Sequence, residues 1–195
     1  MPEWEERLRD GTPIVVRPIR PDDREELAEG MRRLSPESRY RRFLAATREL
    51  SESQLRYLTE VDHRDHEALV ALEPGSEHGI GVARFVRSPR DPELAEVAVA
   101  VADSWQGRGA GTVLLQRLTE RARAEGIRRF SAEILAENRP MLDLIDDLGE
   151  VTVTERDHGA VEVEVALPPE GIGAALRETL RAAARDLLRV PSLLR

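Results

Sequence analysis

The sequence predicts an α/β fold in one domain: a central mixed sheet flanked by helices, with an extra helix at the C-terminal end. Three observations lead there. Apolar residues alternate with period two in several short segments, and they recur at helical spacing in the segments between. Over residues 95–135 the order is strand, turn, helix, strand, which requires a right-handed crossover and so two parallel strands. Residues 68–72 with 79–86, and 151–154 with 161–167, are joined by short turns and read as antiparallel hairpins.

Bulk properties set the outer bounds. The chain has 195 residues, a net charge of −8, 41% hydrophobic and 4% aromatic residues. That suits one domain with an aliphatic core, residues 1–167, and an appended amphipathic helix, residues 168–195. An acidic chain without a basic run is a poor nucleic-acid binder, though it favours a cationic partner or an amine. No run approaches the roughly 20 apolar residues of a membrane span, and the acidic start Met-Pro-Glu-Trp-Glu-Glu lacks a leader's apolar segment, so a cytoplasmic protein is expected. There is no cysteine, hence no disulfide, thiol nucleophile or thiolate metal site. All 29 basic residues are arginine. The chain therefore offers no lysine side chain for modification.

Taken in order, residues 1–13 read as a polar lead-in. Residues 13–20 hold a first strand around Ile14, Val15 and Val16, with Pro18 arguing for an edge position. Asp22 and Asp23 start a helix whose stripe is Leu27, Met31 and Leu34. Ser35 caps and Pro36 opens the next helix, with Tyr40, Phe43 and Leu44 as its buried face. Arg39, Arg41 and Arg42 read first as a solvated helix face, and otherwise as a phosphate or partner contact. Residues 51–54 form a capping box before Leu55, Leu58 and Val61. In the run Asp62 to His66 two histidines stand near two aspartates, yet no third ligand cluster appears, so no metal site is expected. The run reads as a loop, or alternatively as a substrate mouth with His63 as a base.

Residues 95–101 then alternate Glu96, Ala98 and Ala100 with Val97, Val99 and Val101. A glycine-rich turn follows, and a helix carrying Val113, Leu114, Leu118 and Ala122 runs to Gly126. Free amides at such a helix start bind anions. The Walker pattern fails because no lysine follows the glycines, and G-x-G-x-x-G fails at Thr112. Residues 129–135 are the parallel strand, and Asn138 caps a helix carrying Met141, Leu144, Ile145 and Leu148. After Pro168 and Pro169 the last helix reads as a homodimer arm or as a helix docked on its own chain.

What the turn retains is Q-x-x-G-x-G, at Gln106, Gly109 and Gly111. After an acidic small-residue strand and before an amphipathic helix, it resembles the pyrophosphate motif of the GNAT family of acyl-CoA-dependent N-acetyltransferases. Residues 34–43 (L-S-P-E-S-R-Y-R-R-F), 95–101 and 136–142 (A-E-N-R-P-M-L) resemble the actinobacterial protein lysine acetyltransferase-type branch. The resemblance implies the GNAT fold, acetyl-CoA as cofactor, and a protein lysine or small-molecule amine as acceptor. It implies that Val99 and Val101 pair with pantetheine and that Gln106 opens the turn. Pyrophosphate would lie on the amides of Gly107, Arg108, Gly109, Ala110, Gly111 and Thr112, with Asn138 near the sulfur end. Glu96 would be the general base, its pKa raised by burial, and the Val99 N–H would polarise the carbonyl. Two departures stand out. The helix after Asn138 has no tyrosine to protonate the leaving thiolate, and Glu150 replaces an apolar residue after Gly149. The missing tyrosine keeps alive a second reading, a non-catalytic acyl-CoA sensor of the same fold.

Overall fold

The computed structural model describes residues 3–44, 49–157 and 159–167. The helix expected over residues 168–195 lies outside the described residues. Eight strands form one sheet: β1 (Trp4–Arg7), β2 (Pro13–Pro18), β3 (His66–Leu72), β4 (Gly79–Arg87), β5 (Leu94–Val101), β6 (Arg129–Leu135), β7 (Glu150–Asp157) and β8 (Ala160–Ala166). Their order is β1-β2-β3-β4-β5-β6-β8-β7. All neighbours are antiparallel except β5 and β6, which are parallel as the crossover required. The helices are α1 (Arg24–Arg33), α2 (Pro36–Phe43), α3 (Glu52–Thr59), α4 (Ala110–Ala124) and α5 (Arg139–Asp146).

The sheet is covered on both faces. On one, α4 buries Leu114, Leu115, Leu118 and Ala122 against Val16, Leu69, Phe85 and Val97, and α5 joins the same cluster. On the other, Ile19, Ala68, Val70 and Leu72 meet Leu27 of α1, Val61 and Val82. Period-two alternation therefore divides β5: Val97 lies in the α4 core, while Glu96, Ala98 and Ala100 face the side of α1 to α3. The expected caps are present. Ser35 accepts from Ser38 N, and Ser51 and Gln54 complete a capping box.

Four expectations need correction. The polar lead-in contains β1: Trp4 packs on the core and Leu8 is buried. β2 is therefore not an edge, and Pro18 is tolerated because β1 stops pairing at Val16. Tyr40 is exposed and Phe43 and Leu44 are only half-buried, so the expected buried face of α2 is not one. Glu150 causes no misfit, because it starts β7 as an exposed residue.

Candidate functional site

The site begins where two strands part. β5 and β6 pair through Leu94–Arg129, Ala95–Phe130 and Glu96–Ser131, and then stop. Both strands run on, to Val101 and Leu135. Backbone groups beyond Glu96 on the β6 side thus lose their strand partner, a costly arrangement unless something else pairs with them. The parting strands open a cleft of about 560 Å³. Glu96, Val99 and Val101 line it from β5, and Asn138 lines it from the start of α5.

The turn closes one end. Gln106, Gly107, Gly109, Ala110, Gly111 and Thr112 all line the cleft. Gly107 and Gly109 have φ of +73° and +98°, the left-handed region that favours glycine. α4 starts on Gly109 without a side-chain cap, whereas Ser35, Ser51 and Asn138 cap α2, α3 and α5. Its first amides therefore have no intrahelical acceptor and face the cleft with the positive end of the helix dipole. A β-carbon on Gly111 would come within 3.1 Å of Leu144 Cδ2, so glycine lets α4 and α5 close together there. The residues suit an anionic, extended cofactor: bare amides for phosphates, then an unpaired strand edge for an amide-bearing arm.

Arg108 is placed differently from its neighbours. Its side chain leaves the cleft, donating to Asp10 Oδ2 and Thr12 Oγ1, both at 2.8 Å, and stacking on Trp105. Hydrogen bonds that Thr12 makes to Asp10, and after them the one from Arg108, lower the Asp10 pKa to about 2. The Arg108 bonds also pin the β1–β2 hairpin to the turn, and Arg9 N donates to Arg108 O at 3.1 Å. Arg9 is thereby delivered into the cleft beside Gly109 and Thr112. Sequence reasoning missed Arg9, because the β1–β2 hairpin whose turn carries it went unseen.

On the other side, Gln106 Nε2 donates to Val101 O, Asp103 and Ser38 Oγ, and Asp103 accepts from Ser35 N. This network holds α2 over the cleft, where Arg41 and Arg42 line it. The basic face of α2 is thus not merely solvated. Asn138 caps α5 through Met141 N at 3.4 Å.

Glu96 stands at the point where the strands part, but it is exposed, so the burial expected of it is absent. Neither tyrosine folds over the cleft: Tyr40 and Tyr57 are both exposed, and Tyr57 stacks on His66. The histidines serve structure. His63 Nδ1 bonds buried Glu67 at 2.7 Å, and Glu67 also receives Arg121. His66 is pushed down to about 4, by burial first and Arg84 second. Neither histidine lines the cleft. No group of acidic and histidine side chains that could hold a metal occurs among the described residues, and no helix among them is long and apolar enough to cross a membrane.

Comparison with known proteins places this geometry. The family model described as acetyltransferase (GNAT) family matches residues 28–149. Acetyltransferase Pat of Mycolicibacterium smegmatis is 38% identical over 189 residues, 95% of this chain and 56% of that protein. The chain thus spans just over half the length of that relative. The crystal structure of the GNAT domain of S. lividans PAT superposes with a TM-score of 0.78 at 36% identity, covering 85% of this chain and 97% of that one. The structure of yncA from Salmonella typhimurium, solved with acetyl-CoA, shares the fold at a TM-score of 0.65 and 22% identity, covering 81% and 96%.

Proposed function

The chain belongs to the GNAT acetyltransferase family, and from that premise we propose that it transfers the acetyl group of acetyl-CoA to an amine by direct attack, with Glu96 as general base. The observation that carries the reading is one geometry. A carboxylate stands where β5 and β6 part, at the head of an unpaired strand edge that leads to an uncapped helix start.

Bound acetyl-CoA supplies a thioester: the amine nitrogen bonds to its carbonyl carbon, the C–S bond breaks, and CoA leaves as a thiolate. The chain's residues do the rest. The amides from Gly107 to Thr112 hold the diphosphate, and Arg9 adds a cation beside them. The unpaired edge at Val99 and Val101 orients the arm, and the Val99 N–H polarises the carbonyl. Glu96 accepts, directly or through water, the proton that the acceptor's ammonium must lose before its nitrogen can attack. Water returns the proton to the thiolate, since no tyrosine hydroxyl among the described residues lines the cleft. The proposed setting is the cytoplasm, and the acceptor is a protein lysine or a small amine.

The same missing hydroxyl favours the second reading, a sensor that binds acyl-CoA without turnover. Calorimetric titration with acetyl-CoA and CoA, followed by a thiol-release assay over amines and lysine peptides, separates the two. Glu96→Gln is expected to keep cofactor affinity and lose at least about a hundredfold in rate. Absence of binding heat would overturn both readings. Heat without thiol release for any acceptor would favour the sensor.

A further inference from the structure

Beside Glu96, two arginines on the acceptor side of the cleft stand without a carboxylate in ion-pair contact among the described residues. Arg84 on β4 pairs in register with Ala98, so it shares the face of Ala98 and Glu96. It is only 6% exposed. Its hydrogen bonds go to neutral groups, the Leu58 carbonyl and His66 Nε2, both at 3.1 Å. Burial, and then the charge of Arg42, hold its pKa down at about 10. Arg42 lines both the cleft and an adjoining cavity of about 90 Å³, whose walls include Leu58, Val70, Ile80 and Val82. Its guanidinium stacks on Phe43 at 4.9 Å. Among the described residues no carboxylate lies within ion-pair distance of it, and the acid that acts on it is Glu96.

The other acids nearby are committed or lie elsewhere. Asp23 and Glu26, on the inner cavity, pair with Arg17 and Arg33. Arg41 takes Glu37. Glu133, Asp143 and Asp147 line the cleft from β6 and the end of α5, and none of them acts on Arg42. Glu96, the acid that acts on Arg42, is the same one the chemistry needs as a base. An amine arrives at neutral pH as an ammonium, and a guanidinium without an ion-pair partner beside Glu96 repels it. An acceptor that brings its own anion reverses this. The anion neutralises Arg42, and Glu96 is freed to take a proton.

Resting on the acetyltransferase reading above, we infer that the acceptor carries a carboxylate beside its amine, and that Arg42 receives this carboxylate at the junction of the cleft and the inner cavity. The apolar cavity beyond takes the aliphatic part of the acceptor. The carboxylate has two sources, the α-carboxylate of a free amino acid or an acidic residue flanking a lysine, and the assay distinguishes them.

Thiol release from acetyl-CoA is measured with the set of free amino acids against their amides, and with lysine peptides flanked by glutamate against the same peptides with glutamine. In one of these pairs kcat/KM is expected to be at least about tenfold higher for the carboxylate form, the scale of one charge-assisted hydrogen bond. Arg42→Gln should collapse that ratio towards one, and Arg42→Lys should restore part of it. Wild-type ratios near one in both pairs, or a ratio untouched by Arg42→Gln, would overturn the inference while leaving acetyl transfer standing. Acetyl-CoA binding with no thiol released from any acceptor would instead overturn the underlying reading, and this inference with it. An acetyl-CoA titration reports whether each variant folds; if Arg42→Gln does not, the wild-type ratios decide alone.

Discussion

The two walls of the cleft handle charge in opposite ways. On the cofactor wall the attraction for anions is built mainly from backbone: uncapped α4 amides, glycines at positive φ, and an unpaired edge of β5. The arginine that belongs to the turn, Arg108, is tied to Asp10, and Arg9 is imported from a hairpin almost a hundred residues earlier. On the acceptor wall the charge sits in side chains, Arg42, Arg84 and Glu96. Backbone dipoles carry no ionisation state and suit a cofactor that is always anionic. Side-chain charges can be neutralised by what binds, which suits a wall that must discriminate among acceptors.

The largest effect on the cofactor wall is expected from Gly109→Ala. A side chain at φ +98° is strained, and its β-carbon would meet Arg9 Cγ at 3.0 Å, so the loss is on the order of 2–3 kcal/mol, read as weaker acetyl-CoA binding by calorimetry and a lower Tm. The acceptor wall should show its character in acid. The folded chain holds the His66 pKa at about 4 against 6.5 unfolded, so between those values the unfolded state binds the extra proton. Stability is complete above pH 6.5 and is lost as pH falls towards 4, by about 2 kcal/mol after allowance for solvent screening. Chemical denaturation across that range should show the loss, and His66→Gln should flatten it.

Arg9→Ala comes next. Its side chain is exposed, so Tm should hold while the Kd for acetyl-CoA rises about tenfold, and the gap should narrow in high salt. A rise in Kd equal to that of an arbitrary surface arginine would remove Arg9 from the cofactor wall. Asp10→Asn should give the smallest effect. It loosens the hairpin without removing a cofactor contact, so its effect on Kd should fall below that of Arg9→Ala in the same titration.

Reading the chain as sequence succeeded where physics is local. Glycines at Gly107 and Gly109, a serine cap at Ser35 and alternation through residues 95–101 each act within a few residues, and each was placed correctly. β1 escaped because Trp4 and Leu8 are its only clear apolar signals, and the strand exists by pairing with β2 and packing on α4 through Arg117. His63 looked like a base by spacing alone. Glu67, buried one strand-start away, holds it in a structural pair.

The sequence by itself determined the strand–turn–helix cradle, the parallel crossover and the candidate base, because period, glycine and capping are written along the chain. Tertiary structure alone decided that Arg9 reaches the glycine turn, that Arg108 leaves it, and that Glu96 is the acid facing Arg42. Those outcomes depend on which charges the fold brings together and how far water is kept from them, and neither is recorded in the spacing of residues.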